Sequence, residues 1–159
     1  NSISAQILKE VDFIFLISLL IIDETDNADY FLYKFNISKK DQKRIKIIHN
    51  FYKERLNVKT FTEKNLNRFF YYKGKDAIID ILNFKIITSK KLDNNLTELL
   101  KIYKEKKMPI MPIKAETLMQ KYEISEGKIL GDKLKMIEEE WVKNNFHISN
   151  YQVENLLKN

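Results

Sequence analysis

The sequence predicts an all-α fold, a multi-helix body followed by a smaller C-terminal helical tail lobe. Three observations carry that expectation. Only three glycines and two prolines occur in 159 residues, too few to punctuate a turn-rich β architecture. Apolar residues recur at three- and four-residue spacings rather than in strict alternation, the pattern of helix faces. Helix-start chemistry, a Ser, Thr or Asp just ahead of an apolar-periodic stretch, recurs along the chain. With 44% hydrophobic residues the chain is also too apolar for disorder, and it is long enough for one domain or two small helical lobes.

Taken in order, the first element is the apolar run "FIFLISLLII", Phe13 to Ile22. It is far short of the roughly 20 residues needed to span a bilayer, and acidic residues bracket it, so it reads as a helix buried on nearly all sides. A secretory leader would need a basic start and a small-residue cleavage site, and neither is present. Asp23, Glu24, Asp26 and Asp29 then read as a solvated connector. Ser38 with Asp41 three residues on makes a capping-box-like start for a helix whose Ile45, Ile48, Phe51, Tyr52 and Leu56 share one face. Lys39, Lys40, Lys43, Arg44 and Lys46 are expected on the other. Thr62 is expected to cap a helix carrying Leu66, Phe69 and Phe70 inward, with Gly74 stopping it where positive φ is required.

Two further helices are expected at Asp76 to Thr88 and Leu96 to Lys107, the second capped by Asp93. "MPIMP", Met108 to Pro112, cannot be helical, because each proline removes a donor and biases its predecessor toward extended geometry. The break divides the chain into a body, residues 1–107, and a tail, residues 108–159. The tail begins with a short helix at Ala115 to Tyr122 and a turn at Glu123 to Glu126. A long helix follows from Gly127 to Asn144, with Leu130, Leu134, Ile137 and Trp141 as one stripe. A last helix starts at Ser149, with Gln152 completing a capping box.

Formal net charge is +6, carried mostly by lysine, which favours a polyanionic partner and equally suits a solvated lysine surface. The absence of cysteine excludes disulfides, thiolate zinc sites and cysteine nucleophiles, and suits a cytoplasmic setting. His49 and His147 have no partner at ligand spacing, so no metal site is expected. Phosphoryl and nucleotidyl transfer need carboxylates that fix divalent metals, usually beside a Gly-rich loop, and neither is found. There is no G-x-S-x-G elbow, P-loop or dinucleotide fingerprint. No catalytic residue is assigned.

Binding chemistry is better represented. Cations along one helix face suit a phosphate backbone. Tyr71, Tyr72 and Tyr103 are of the type that stacks on unpaired bases, although most such aromatics form core edge. Gly127 stands where a turn into a helix allows close backbone approach to a phosphate, whereas Gly131, a full turn inside, is expected to pack closely against a neighbouring helix.

From Pro112 onward, "PIKAETLM", "YEISEGKILGDKLKMIEEEWV" and "NFHIS" resemble the C-terminal end of the tRNA nucleotidyltransferase (CCA-adding) and poly(A) polymerase family, through Leu118, Met119, Gly127, Gly131, Leu134, Glu138, Trp141 and Phe146. "FNISKKDQKRI" is similar to that family's L-x-L-S-x-x-[ED] segment through Ile37, Ser38 and Asp41. "LNRFFYYKGKDAIIDIL" is similar to its L-R-R-x-L-Y-x-x-G-x-x-x-x-x-D-x-L element through Leu66, Arg68, Tyr71, Gly74, Asp80 and Leu82. One departure is that no proline flanks the glycine turn: Ser125 and Glu126 precede Gly127 and Lys128 follows it.

The resemblance covers body and tail only. The head's Asp-x-Asp strand and the neck's Glu-Asp-x-x-Arg selector have no match, so magnesium and a nucleoside triphosphate are expected only with a head, whether the chain is a fragment or is encoded apart from it. What the resemblance implies is RNA holding, of tRNA above all. The residues named for it are Lys39, Lys40, Lys43 and Arg44, with Arg68, Gly127, Lys128 and Lys133. A helical protein-interaction or oligomerisation module without RNA specificity stands as the alternative.

Overall fold

The computed structural model describes residues 2–54, 62–91 and 93–158, which form ten α-helices and no strand. The chain divides into two compact units, residues 1–106 and 107–159. No described helix is long and apolar enough to cross a membrane.

The first unit holds α1 (Ser2–Glu10), α2 (Phe13–Ile21), α3 (Asn27–Lys34), α4 (Lys39–Glu54), α5 (Glu63–Lys73), α6 (Lys75–Thr88) and α7 (Asn94–Glu105). Helix α6 is its axis and packs against α1, α2, α4, α5 and α7. The reason is compositional: "AIIDILNFKII" is apolar around most of its circumference, and every residue from Asp80 to Phe84 is buried. Two apolar clusters flank this axis. Leu66, Phe70, Leu82, Leu99 and Tyr103 join α5, α6 and α7, while Phe15, Ala28, Ile45, Ile48 and Phe84 join α2, α3, α4 and α6.

Local capping chemistry sets the boundaries. The Ser38 hydroxyl donates to the Asp41 carboxylate at 2.6 Å and accepts the Asp41 N–H at 3.1 Å, opening α4. Thr62 Oγ1 accepts the Asn65 N–H and Asp93 accepts the Asn95 N–H, opening α5 and α7. Gly74, at φ +90°, both closes α5 and precedes α6, a one-residue corner that a side chain would strain. Helix α7 starts and stops two residues earlier than the Leu96–Lys107 reading. Leu56 lies outside the described residues.

Several expectations are corrected. Helix α2 is not buried all round: Phe15 is fully buried, yet Phe13 is 72% and Leu20 81% exposed, so one apolar face meets solvent. Helix α6 takes the central position instead, because five helices pack against it. Of the acidic residues after α2, Asp23, Glu24 and Asp26 do lie in the connector, but Asp29 belongs to α3, which begins at Asn27, and it faces Lys53 and His49. Tyr103 is fully buried, its hydroxyl donating to Asn67 Oδ1 at 2.7 Å, so it has no face to offer a base. Helices α1 and α3 had no counterpart in the sequence reading.

The second unit holds α8 (Ala115–Tyr122), α9 (Lys128–Lys143) and α10 (Asn150–Lys158), with α9 packed against the other two. Leu118, Leu130, Ile137 and Val153 form its core, and Trp141 is buried against Phe146 with ring centroids 5.1 Å apart. Ser149 and Gln152 form the reciprocal capping box of α10. A Cβ built on Gly131 would meet nothing within 4 Å, which corrects its reading as a close-packing glycine: the residue faces open space.

Candidate nucleic-acid interface

The interface begins with the start of α4. Once Ser38 and Asp41 set the first turn, helical geometry places Lys39, Lys43 and Lys46 close to one line, with Lys40 beside them, and all four are exposed. None of them makes an ion pair with a described residue. By contrast, Lys53, Lys104, Lys106 and Lys143 each hold a carboxylate. The α4 row is therefore a set of exposed cations with no ion-pair partner among the described residues.

Arg44 departs from the row. Its Nε and Nη2 donate to the two oxygens of Asp80 on α6 at 2.6 and 2.9 Å, and Nη1 donates to Asp12. The Asp80 hydrogen bonds, outweighing the cost of burial, hold the guanidinium protonated far above neutral pH. Burial pushes the Asp80 carboxyl up, and Arg44 opposes that push with its two hydrogen bonds and its charge. At Asp12, burial also acts upward, but Arg44 and the Phe15 N–H outweigh it and hold the carboxyl below its ordinary range. Asp12 thus caps α2 through one oxygen and binds α4 through the other.

Beneath the row lies a cleft of about 550 Å³ between α4, α6 and the α1–α2 junction. Lys40, Lys43 and Arg44 line it from α4, Lys73 from the end of α5, and Asp76, Asp80 and Asn83 from α6. Lys40, Lys43 and Arg44 thus share this cleft, Lys39 and Lys46 do not line it, and Arg68 stands apart, exposed on α5. Tyr72 is 46% exposed and Tyr71 half-buried on the same helix.

In the second unit, Gly127 precedes α9 at φ +143°, a conformation that disfavours a side chain, and the first turn has no side-chain cap. Lys128 beside it is exposed. Lys133 is committed inward, its Nζ donating to the Leu156 carbonyl at 3.2 Å near the end of α10. There it supports the last carbonyls of that helix.

The sequence reading missed Lys73 and Asn83. For Asn83 a signal existed: an amide inside "IIDILNF" is a polar group that a buried helix must either pair or present to something. Among the described residues no three His, Asp or Glu side chains converge to hold a metal ion.

A sequence model of the family described as tRNA nucleotidyltransferase domain 2 matches residues 6–156. Neither the curated proteins nor the solved structures contain a match.

Proposed function

The chain belongs to the tRNA nucleotidyltransferase domain 2 family, and from that premise we propose that it holds RNA, tRNA above all, while a head carried elsewhere performs nucleotidyl transfer. The observation that carries the reading is the exposed row Lys39, Lys40, Lys43 and Lys46 on α4, free of ion pairs to described residues. Such a row suits a phosphate backbone: each phosphate neutralised releases a condensed counterion, so affinity comes mainly from salt-sensitive contacts. Arg68, and in the tail Gly127 with Lys128, are proposed as further contacts. Arg44 and Lys133 act indirectly, the first by seating α4 on α6 and the second by tying α9 to α10.

The test is tRNA binding measured across a salt series. Native protein should bind at low ionic strength, with log affinity falling linearly against log salt. Changing Lys39, Lys40 and Lys43 to Gln should flatten that slope by roughly 2–3, about 0.7–0.9 per lost cation. No binding at low salt, or an unchanged slope, rejects the reading.

A second reading, a helical interaction or oligomerisation module, has one specific observation in its favour. Phe13, Leu16 and Leu20 lie at i, i+3 and i+7 on α2 and are all exposed, which aligns them as an apolar face. It predicts a defined oligomer or protein complex that Leu20→Lys dissolves, with no preference for tRNA over other polyanions.

A further inference from the structure

In the second unit, Gly127, Gly131, Leu134 and Glu138 follow one another at spacings of four, three and four, so they fall along one face of α9. Gly131, Leu134 and Glu138 line a groove of about 570 Å³ whose other wall includes Met111, Ile113 and Ala115. A Cβ on either glycine would meet nothing within 4 Å. Gly131 therefore costs α9 about 1 kcal/mol of helix propensity against alanine, and no neighbour packs into the space it leaves. Such a notch in the floor of a groove lets a second helix approach closely.

We infer that the groove is filled by α9 of a second copy of this chain, the two helices running antiparallel about a two-fold axis. The order of residues along the seam selects that occupant. A four-three-four spacing reads the same in both directions, so in an antiparallel pair Gly131 stands opposite Leu134 of the second copy and Gly127 opposite its Glu138. Each notch thus meets a large side chain, and the two-fold repeats both contacts. A parallel pair would instead set glycine against glycine and Glu138 against Glu138. The charges agree with the antiparallel register. Glu138 arrives at the start of the opposing α9, which has no side-chain cap and carries exposed Lys128. A carboxylate there suits both the unpaired N–H groups of a first turn and the ammonium beside them. A self-complementary face of this kind closes at two copies. The seam uses residues of the second unit alone and does not depend on RNA binding at α4, although it takes Gly127 and Lys128 for a protein contact.

The experiment is sedimentation equilibrium of the full chain over a concentration series of roughly 1–100 μM. Native protein should approach twice the 19.1 kDa of one chain. Gly131→Gln, which fills the notch with a good helix former, should stay at the single-chain mass and, when dilute, melt no lower than native protein. Lys128→Glu and Glu138→Lys should each weaken association by about tenfold or more, because each sets like charges together across the seam. The double reversal should restore it. Within one helix the two residues are ten positions, or about 15 Å, apart, so only a contact between copies can give that rescue. Leu20→Lys, on the apolar face of α2, should leave the mass at two chains. A single-chain mass for native protein throughout overturns the inference, as does a Gly131→Gln variant that still pairs or a double reversal that fails to rescue. If Leu20→Lys alone dissolves the pair, association belongs to α2 and the inference is overturned as well.

Discussion

Arg44 on α4 and Asp80 on α6, thirty-six residues apart, are joined by two hydrogen bonds, one to each carboxylate oxygen. Asp12 takes a third donor of the same guanidinium, so one side chain ties α4 both to α6 and to the start of α2. Asp80 keeps only 7% of its side-chain surface in solvent, which makes the loss of its partner costly. Arg44→Leu is expected to lower stability by about 3 kcal/mol, the scale of breaking a buried pair. The double variant Arg44→Leu, Asp80→Leu should recover most of it, because the stranded charge is gone. Urea midpoints of the two single variants and the double variant measure the coupling.

His49 supplies a pH dependence of definite sign. It is buried, its Nε2 has no partner among the described residues, and burial, helped by Lys53, holds its pKa below the ordinary value against the pull of Asp29 and Asp23. A depressed imidazole means the fold favours the neutral ring. Its contribution is present above the unfolded value near ~6.5 and is lost as pH falls through the folded one. The urea midpoint of native protein should therefore drop more steeply below about pH 6.5 than that of His49→Leu, and the two curves should run parallel above about pH 7.5.

The glycines separate into opposite responses. Gly131→Ala should stabilise by about 0.5–1 kcal/mol, since a helix-interior glycine with open space around it gains helix propensity and meets no clash. Gly74→Ala should destabilise by about 1–2 kcal/mol, because its φ of +90° disfavours a Cβ however much room there is. Thermal melts should move in opposite directions, by roughly 2–4 °C per kcal/mol.

The two faces of α2 give a further contrast. Phe15→Ala should cost about 3–5 kcal/mol by opening a cavity against Ala28, Ile45 and Phe84. Leu20→Lys should stay within about 0.5 kcal/mol, since that side chain is 81% exposed. Equal losses at the two positions in urea unfolding would contradict this placement of α2.

The caps show how far the chain can be read by itself. Ser38 with Asp41, Thr62, Asp93, and Ser149 with Gln152 each perform the role their spacing implied, because a cap is made by atoms three or four bonds' reach from the backbone they serve. The same locality made the α4 lysines visible as a row. Arg44 was read as one of them because its sequence neighbours are lysines, and nothing within one turn of α4 reveals Asp80.

The sequence by itself determined the helical class, most helix starts, the non-helical stretch around Pro109 and Pro112, and the family, since all of these follow from local spacing and residue type. The tertiary structure alone decided which face of α2 is covered, that α6 rather than α2 is the buried axis, that Tyr103 points inward, and that Gly131 faces open space. It also brought Asn83, Lys43 and Lys73 around one cleft. The physical reason is that caps and propensities are decided over one helical turn, whereas burial and charge pairing are decided by whichever distant helix fills the space alongside.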